Sequence, residues 1–383
     1  MRSHSYLNTC KKILAAYDGS IPFAAWVKDF FRNEKKYGGS DRKQIGHACY
    51  SFFRLGHAFR HLEMEERILI ALFLCSTEPV FILKELRPGW NEQIHLSPEE
   101  KMDWLGASEE TGKIFPFTIA LSEQVRNTRF QFSFLKQPDL FLRIRPGKKE
   151  SVINKLNLAS IPFIEEEKDC IRLANQSKIE KVVKLDEEAV VQDLNSQRTL
   201  DDINLSGKGL TAWDCCAASG GKSILLHDHY PGIQLTVSDV RESILHNLRN
   251  RFNRAGIGNY QSFVADLAAG ARLPGKKFDL VICDAPCSGS GTWARTPEQL
   301  SFFREEQVSH YVVLQKGITS TAVQSVKPGG LFVYITCSVF EAENEKRVEE
   351  LINVPGLELI RSKYLEGYNR KADSLFTAVF RKH

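Results

Sequence analysis

Two cysteines stand directly after short apolar runs with strand character. Cys287 lies in Asp284-Ala285-Pro286-Cys287-Ser288-Gly289-Ser290-Gly291, after residues 280–283, and Cys337 lies in Thr336-Cys337-Ser338, after residues 331–335. In an open α/β sheet, groups just past the carboxyl ends of neighbouring strands share the ligand crevice. Two thiols and the carboxyl group of Asp284 in one crevice suit a particular reaction. Carbon 5 of cytosine is a poor nucleophile, so methylating it calls for prior addition of a thiolate to carbon 6. An acid or hydrogen-bond donor near ring nitrogen 3 then accommodates the charge that develops. Afterwards the proton on carbon 5 must leave and the adduct must break, a step that a second cysteine or a base assists. The plainer reading of a cysteine is a small apolar core residue, and it is preferred for Cys10, Cys49, Cys75, Cys170 and Cys283.

A methyl donor needs a pocket in the same sheet. The stretch Trp213-Asp214-Cys215-Cys216-Ala217-Ala218-Ser219-Gly220-Gly221-Lys222-Ser223 reads as a strand turning through small residues into a helix. Such a turn lets the backbone approach a ligand and offers it unpaired N–H groups. Gly-Lys-Ser resembles the end of a phosphate-binding P-loop, but Cys216 stands where that motif needs its first glycine. A second strand, residues 234–238, ends at Asp239, roughly twenty residues after the glycines, where a carboxylate can accept both ribose hydroxyls of an adenosine-type cofactor. Asp266 follows a third strand, 262–265, where adenine would fall. Alone, each aspartate is a solvated strand end or a helix cap, and the turn is tight packing. In this order they describe a nucleoside pocket.

These residues must be positioned by the elements around them. From about residue 210 apolar strands (211–213, 234–237, 280–283, 331–335) alternate with amphipathic helices (244–253, 308–326), which predicts a parallel, doubly wound α/β sheet. Upstream, residues 140–145 alternate as a strand with Arg143 and Arg145 on one face. Residues 148–158 read as a helix, and 163–172 as two short strands around a turn at 166–169. The first third is helical: Ile13, Tyr17, Phe23, Trp26, Val27, Phe30 and Phe31 recur at helical spacing. Gly38-Gly39-Ser40-Asp41 interrupts them, with Ser40 or Asp41 able to cap the next helix.

Composition bounds the rest. A chain of 383 residues with 43% hydrophobic content has material for two or three cores, and a net charge of +4 permits a polyanionic partner without arguing for one. The apolar run 68–75 falls short of the eighteen or so residues a membrane span needs and reads as a buried helix. The start of the chain carries no signal-peptide pattern. Nine scattered cysteines, none in a C-x-x-C pair, predict reduced thiols, a cytoplasmic protein and no metal.

Taken together, Asp-x-Cys-Ala-Ala-x-Gly-Gly-Lys at 214–222, Asp-Ala-Pro-Cys-Ser-Gly at 284–289 and Thr-Cys-Ser at 336–338 resemble the Sun/Nop family of RNA 5-methylcytosine methyltransferases. The likeness extends to Val191-Gln192-Asp193-x-x-Ser196-Gln197 and covers about residues 138–383. It implies a Rossmann-like domain that binds S-adenosyl-L-methionine through Cys216, Ala217, Ala218, Ser219, Gly220, Gly221, Lys222, Asp239, Asp266 and Asp284. It implies Cys337 as nucleophile, Cys287 as the residue that assists product release, and Asp284 in contact with the base. DNA cytosine methyltransferases use the Pro-Cys cysteine instead, and Cys337 at a second strand end is what favours RNA. The family usually has proline at the position of Ser219 and threonine at that of Ser223. Both changes are small, so cofactor binding is expected to survive with a slightly more flexible loop.

The first third resembles the NusB-like RNA-binding domain of bacterial ribosomal members, through Asp41-Arg42 and the helix with Tyr50, Phe52, Phe53 and Arg54. The middle resembles the family's small α+β insert of the RNA-recognition-motif type. The expected domains are 1–126, helical; 127–200, RRM-like; and 201–383, methyltransferase. Arg143, Arg145, Lys148 and Arg295 are the candidate RNA contacts, although a group of cations is more often a solvated surface. The implied substrate is structured RNA with an unstacked cytosine, small-subunit ribosomal RNA first and transfer RNA second. The protein is expected to act as a monomer with no DNA or membrane partner. A rival reading is a non-catalytic RNA-binding assembly or antitermination factor, against which the intact Asp284, Cys287 and Cys337 argue.

Overall fold

Apolar residues at helical spacing fold the amino-terminal chain into helices at Arg2–Ala16, Phe23–Asn33, Gly39–Arg54 and Met64–Cys75, with shorter ones at Pro98–Trp104 and Thr128–Ser133. The computed structural model describes residues 2–271 and 275–383. Contacts separate one unit, Met1–Ile119 with Val125–Gln137 and Thr292–Glu305, from a second, Ala120–Gln124 with Pro138–Gly291 and Glu306–His383.

In the first unit, Ile68 to Leu74 are all buried, as the apolar run predicts, and Glu65 and Glu66 sit in that helix's first turn, where the helix dipole favours them. The sequence places Ser40 or Asp41 at a helix cap; the structure begins the helix earlier. Gly38 is the cap, because the Asp41 carboxylate reaches back to accept its N–H at 2.9 Å and also accepts Tyr6 Oη–H at 2.6 Å. Arg54 is buried and donates to the carbonyls of Phe134 (2.8 Å) and Lys136 (3.0 Å), groups that the end of the helix Thr128–Ser133 would otherwise leave unpaired. The segment Thr292–Glu305, which follows the Asp-Ala-Pro-Cys motif, belongs to this unit. Its buried Trp293 packs on Phe117 and Phe303 at 5.3 and 4.7 Å between ring centres.

The second unit carries two sheets. Strands β1 (Leu140–Ile144), β2 (Phe163–Glu165), β3 (Cys170–Leu173) and β4 (Ala189–Val191) form an antiparallel sheet in the order β2-β3-β1-β4. The helix Lys149–Leu158 covers one face, setting Val152 and Leu156 against Leu142, Ile144 and Ile171. Arg143 and Arg145 require a correction. They form no basic face. Their side chains are 7% and 12% exposed and both grip Asp228, itself 4% exposed. Arg143 Nε also donates to Gln192 Oε1 at 2.8 Å, and Arg145 Nη1 to the Ala255 carbonyl at 2.6 Å. Burial of β1 on both faces turns these cations inward to a carboxylate more than eighty residues away in sequence.

The larger sheet has the order β10-β11-β9-β8-β5-β6-β7, with β5 (Thr211–Asp214), β6 (Gln234–Asp239), β7 (Tyr260–Val264), β8 (Phe278–Asp284), β9 (Val326–Thr336), β10 (Leu357–Leu365) and β11 (Leu375–Lys382). Pairings among β5 to β9 are parallel, as expected, but β11 runs antiparallel to both β9 and β10, so the sheet is mixed. Along β9 the side chains alternate between two cores, Leu331, Val333 and Ile335 in one and Phe332 and Tyr334 in the other. The segment after β4 links the two sheets. Asp193 accepts the Asp373 N–H at 3.0 Å, and buried Asn195 donates to the carbonyls of Leu365 and Asp373.

Candidate active site

The turn after β5 is built from backbone that few side chains allow. Ala218 and Gly220 have φ of +45° and +84°, and a Cβ on Gly220 would stand 2.8 Å from the Phe252 ring. Small residues at this turn therefore satisfy close packing as well as ligand approach. Ala218 N–H reaches Asp239 Oδ2 at 3.1 Å, while Arg241 donates its backbone N–H to Oδ1 at 3.0 Å. Ser219, where proline is usual, accepts from Arg251 Nη1 through both its carbonyl and its hydroxyl, which ties down a turn expected to loosen. Ser223 Oγ donates to Asp214 Oδ2 at 2.6 Å.

A cavity of about 430 Å³ opens over these strand ends, and Cys216, Ala218, Asp239, Asp266, Asp284 and Cys287 line it. Tyr311, from the helix Glu306–Ala322, adds to its wall, and the half-exposed Val240 offers an apolar surface beside Asp239. Ala217, Ser219, Gly220, Gly221 and Lys222, expected at the cofactor, are not among the residues that line it. A nucleoside-sized ligand fits such a cavity: one carboxylate held by backbone N–H groups, an apolar ledge next to it and a second carboxylate on the following strand. S-adenosylmethionine is the cofactor whose parts match these donors and surfaces.

Next to the cavity, the parallel register of β8 and β9 sets Asp284 opposite Ile335 and brings the loops beyond them together. Cys287 and Cys337 meet with their sulfur atoms 3.4 Å apart. Gly291 N–H donates to the Cys337 carbonyl at 2.8 Å, and Ser374 N–H to the Gly291 carbonyl at 2.9 Å. A Cβ on Gly291 would lie 2.1 Å from the Ser374 oxygen, so this closure requires glycine.

The electrostatics are those of a shielded site. Lys222 Nζ pairs with Asp284 Oδ2 at 2.6 Å, the lysine side chain 11% exposed. Burial by itself would pull the Lys222 ammonium down, but the charge and hydrogen bond of Asp284 hold it above its ordinary range, with Cys337 and Asp214 adding to the effect. Asp214 is fully enclosed, and burial pushes its carboxyl up to about 7 against the opposing Ser223 hydrogen bond; its Oδ1 has no partner among the described residues. The sulfurs of Cys215, Cys216 and Cys283 lie within 4.8 Å of one another, the first two residues lining the cavity, in a thiol cluster that no C-x-x-C spacing announces.

Glu343 is the residue the sequence did not single out. Fully buried on the short turn Glu341–Glu343, it accepts Ser288 N–H (2.9 Å) and Gln315 Nε2–H (3.2 Å) on Oε1, and the hydroxyls of Ser288 (2.6 Å) and Ser338 (2.5 Å) on Oε2. Each serine directly follows one of the paired cysteines, and this repeated Cys-Ser was the one cue in the sequence. Asn344 continues the clamp, donating to the Ser338 carbonyl at 2.9 Å and to Ser122 Oγ at 3.0 Å. The Cys287 thiol is held well above its usual range by its hydrogen bond with Cys337, then by burial and the charges of Cys337 and Glu343. Of the candidate RNA contacts, Lys148 is exposed at the start of the helix Lys149–Leu158, while Arg295 is partly buried within the helical unit.

Residues 206–377 match the family model described as 16S rRNA methyltransferase RsmB/F. Relatives include the ribosomal RNA small subunit methyltransferase B of Xanthomonas campestris pv. campestris, 32% identical over 166 residues, which are 42% of this chain and 37% of that protein. The protein of the same name from Xylella fastidiosa is 30% identical over 225 residues, 57% of this chain and 52% of its own. The chain thus matches about half or less of these relatives' length. Among solved structures, PH0851 superposes with a TM-score of 0.65 at 18% identity over 93% of each chain. A methyltransferase homologue from Pyrococcus horikoshii gives a TM-score of 0.59 at 22% identity, covering 75% of this chain and all of that one. At such identities these two show the fold alone. Through residues 206–377, the chain is similar to the 16S rRNA methyltransferase RsmB/F family.

Proposed function

We propose that this protein methylates carbon 5 of a cytosine in RNA, with small-subunit ribosomal RNA as the substrate and Cys337 as the nucleophile. The observation that carries the reading is the meeting of two sulfurs, 3.4 Å apart, beside a cavity walled by Asp239, Asp266 and Asp284. The Cys337 thiolate adds to carbon 6, forming a carbon–sulfur bond and moving the ring's electron pair toward carbon 5, while Asp284 meets the ring-nitrogen side. Bound S-adenosylmethionine supplies an electrophilic methyl group on a sulfonium. Once carbon 5 is methylated, a base takes its proton, the carbon–hydrogen electron pair restores the double bond between carbons 5 and 6, and the carbon–sulfur bond breaks with its own pair leaving on Cys337 as the thiolate. Cys287, in contact with that sulfur, is the group that assists this release.

In this reading Asp239 takes the ribose hydroxyls and Asp266 the adenine end of the donor. The target cytosine is unstacked, because a duplex shields carbons 5 and 6. Lys148 and Arg295 remain as phosphate contacts, whereas Arg143 and Arg145 are withdrawn from that role by Asp228. Incubation with labelled S-adenosylmethionine and total RNA is expected to label cytosine at carbon 5. RNA binding without label transfer would sink this proposal in favour of a non-catalytic assembly factor, and label in transfer RNA alone would move the substrate.

A further inference from the structure

Two thiols in contact cannot both ionise at neutral pH without strong repulsion, so one sulfur keeps a proton. The surrounding charges decide which. Charged and titratable groups reach the pair from five elements: Lys222 on the helix Gly221–His229, Asp284 at the end of β8, Tyr311 on the helix Glu306–Ala322, Tyr334 on β9, and Glu343 on the turn after β9. Hydrogen bonding sets Glu343 on the Cys287 side: it takes two bonds from Ser288 against one from Ser338, and its partner Gln315 also holds the carbonyl of Pro286, next to Cys287. Burial raises the Glu343 carboxyl above its ordinary range, and the backbone N–H, amide N–H and two hydroxyls it receives oppose that rise, a set of donors suited to a carboxylate. The Gln315 amide is fixed in that sense, because its nitrogen also meets the Pro286 carbonyl at 3.0 Å, which can only accept.

We propose that Glu343 is a positioning residue that assigns the two cysteines their tasks. Its buried carboxylate, tied to Ser288 beside Cys287 and to Ser338 beside Cys337, keeps the shared proton on Cys287 and frees Cys337 to act as the nucleophile. The same ties hold the two sulfurs at contact distance. A neutral clamp of the same shape would perform only the second of these tasks. The inference rests on the two-cysteine reading above, and thiol reactivity measured without RNA or donor separates its failure from the failure of that reading.

The test is limited alkylation of the full-length protein by iodoacetamide, with peptides containing residues 287 and 337 followed by mass spectrometry. At about pH 7.5 Cys337 is expected to react at least about tenfold faster than Cys287. Glu343→Gln keeps the shape and loses the charge, and Cys287 in this variant is expected to react about tenfold faster than in the wild type, the change that one pKa unit gives. Ser288→Ala removes a tie and keeps the charge, so Cys287 should stay within about twofold of wild type. Three outcomes overturn the proposal: wild-type Cys287 reacting as fast as Cys337, Cys287 unchanged in a folded Glu343→Gln protein, or Ser288→Ala reproducing the Glu343→Gln effect. The wild-type comparison decides by itself if Glu343→Gln fails to fold. Full methyl transfer by Cys337→Ala would instead refute the two-cysteine reading.

Discussion

The Lys222 ammonium meets the Asp284 carboxylate at 2.6 Å, joining the glycine turn after β5 to the loop that carries Cys287. Two motifs that are 62 residues apart in sequence thus share one ion pair at the cavity wall. With the lysine almost enclosed, this pair is screened less than a surface bridge. Lys222→Met keeps the length of the side chain and removes the charge. It is expected to lower kcat for methyl transfer by about one to two orders of magnitude, as loss of a preorganised charge does. Steady-state assays with labelled donor would show it, and a variant at wild-type rate would mean that the pair is only structural.

Removal of the sulfur at 287 should separate attack from release. Cys287→Ala is expected to accumulate a covalent RNA adduct that survives denaturing electrophoresis, with turnover reduced by about 10²-fold or more. Cys337→Ala should give neither adduct nor product. Adduct in the Cys337→Ala protein would reverse the two roles.

Asp214 makes stability depend on pH with a definite sign. Its carboxyl rises from 3.8 to about 7 on folding, so the folded chain binds this proton more tightly than the unfolded one. The unfolded chain releases it first as pH rises. Unfolding free energy therefore falls between about pH 4 and pH 7. Asp214→Asn removes this contribution while retaining an acceptor for Ser223. Its melting temperature relative to wild type should climb from pH 5 to pH 8 in thermal scans; a constant difference would show that Asp214 is ionised throughout.

Asp228 neutralises two enclosed guanidinium groups, with its own side chain 4% exposed. Asp228→Ala strands both, and a buried charge without its partner costs about 3–5 kcal/mol. Urea titration should register that loss. A change below about 1 kcal/mol would mean that water reaches the arginines when the carboxylate is gone.

How much of this was legible follows from the range over which each signal acts. The ends of β8 and β9 were readable because residues 280–283 and 331–335 are apolar runs closed by residues of distinct chemistry, and the site follows from those ends. Strand β10 was not: its exposure shows no steady alternation, so neither strand of the antiparallel pair that extends the sheet stood out. Strand β4, three residues long, is too short to carry a period. Arg143 and Arg145 looked like a basic face because their partner, Asp228, comes from a distant helix. Glu343 hid in Glu341-Ala342-Glu343-Asn344-Glu345, which reads as a solvated helix start until Ser288 and Ser338 converge on it.

The grip of Arg143 and Arg145 on Asp228, together with Asn195 bridging the Leu365 and Asp373 carbonyls, has a mechanical meaning. The small antiparallel layer is bolted to the large one at two places and cannot pivot freely as an arm would.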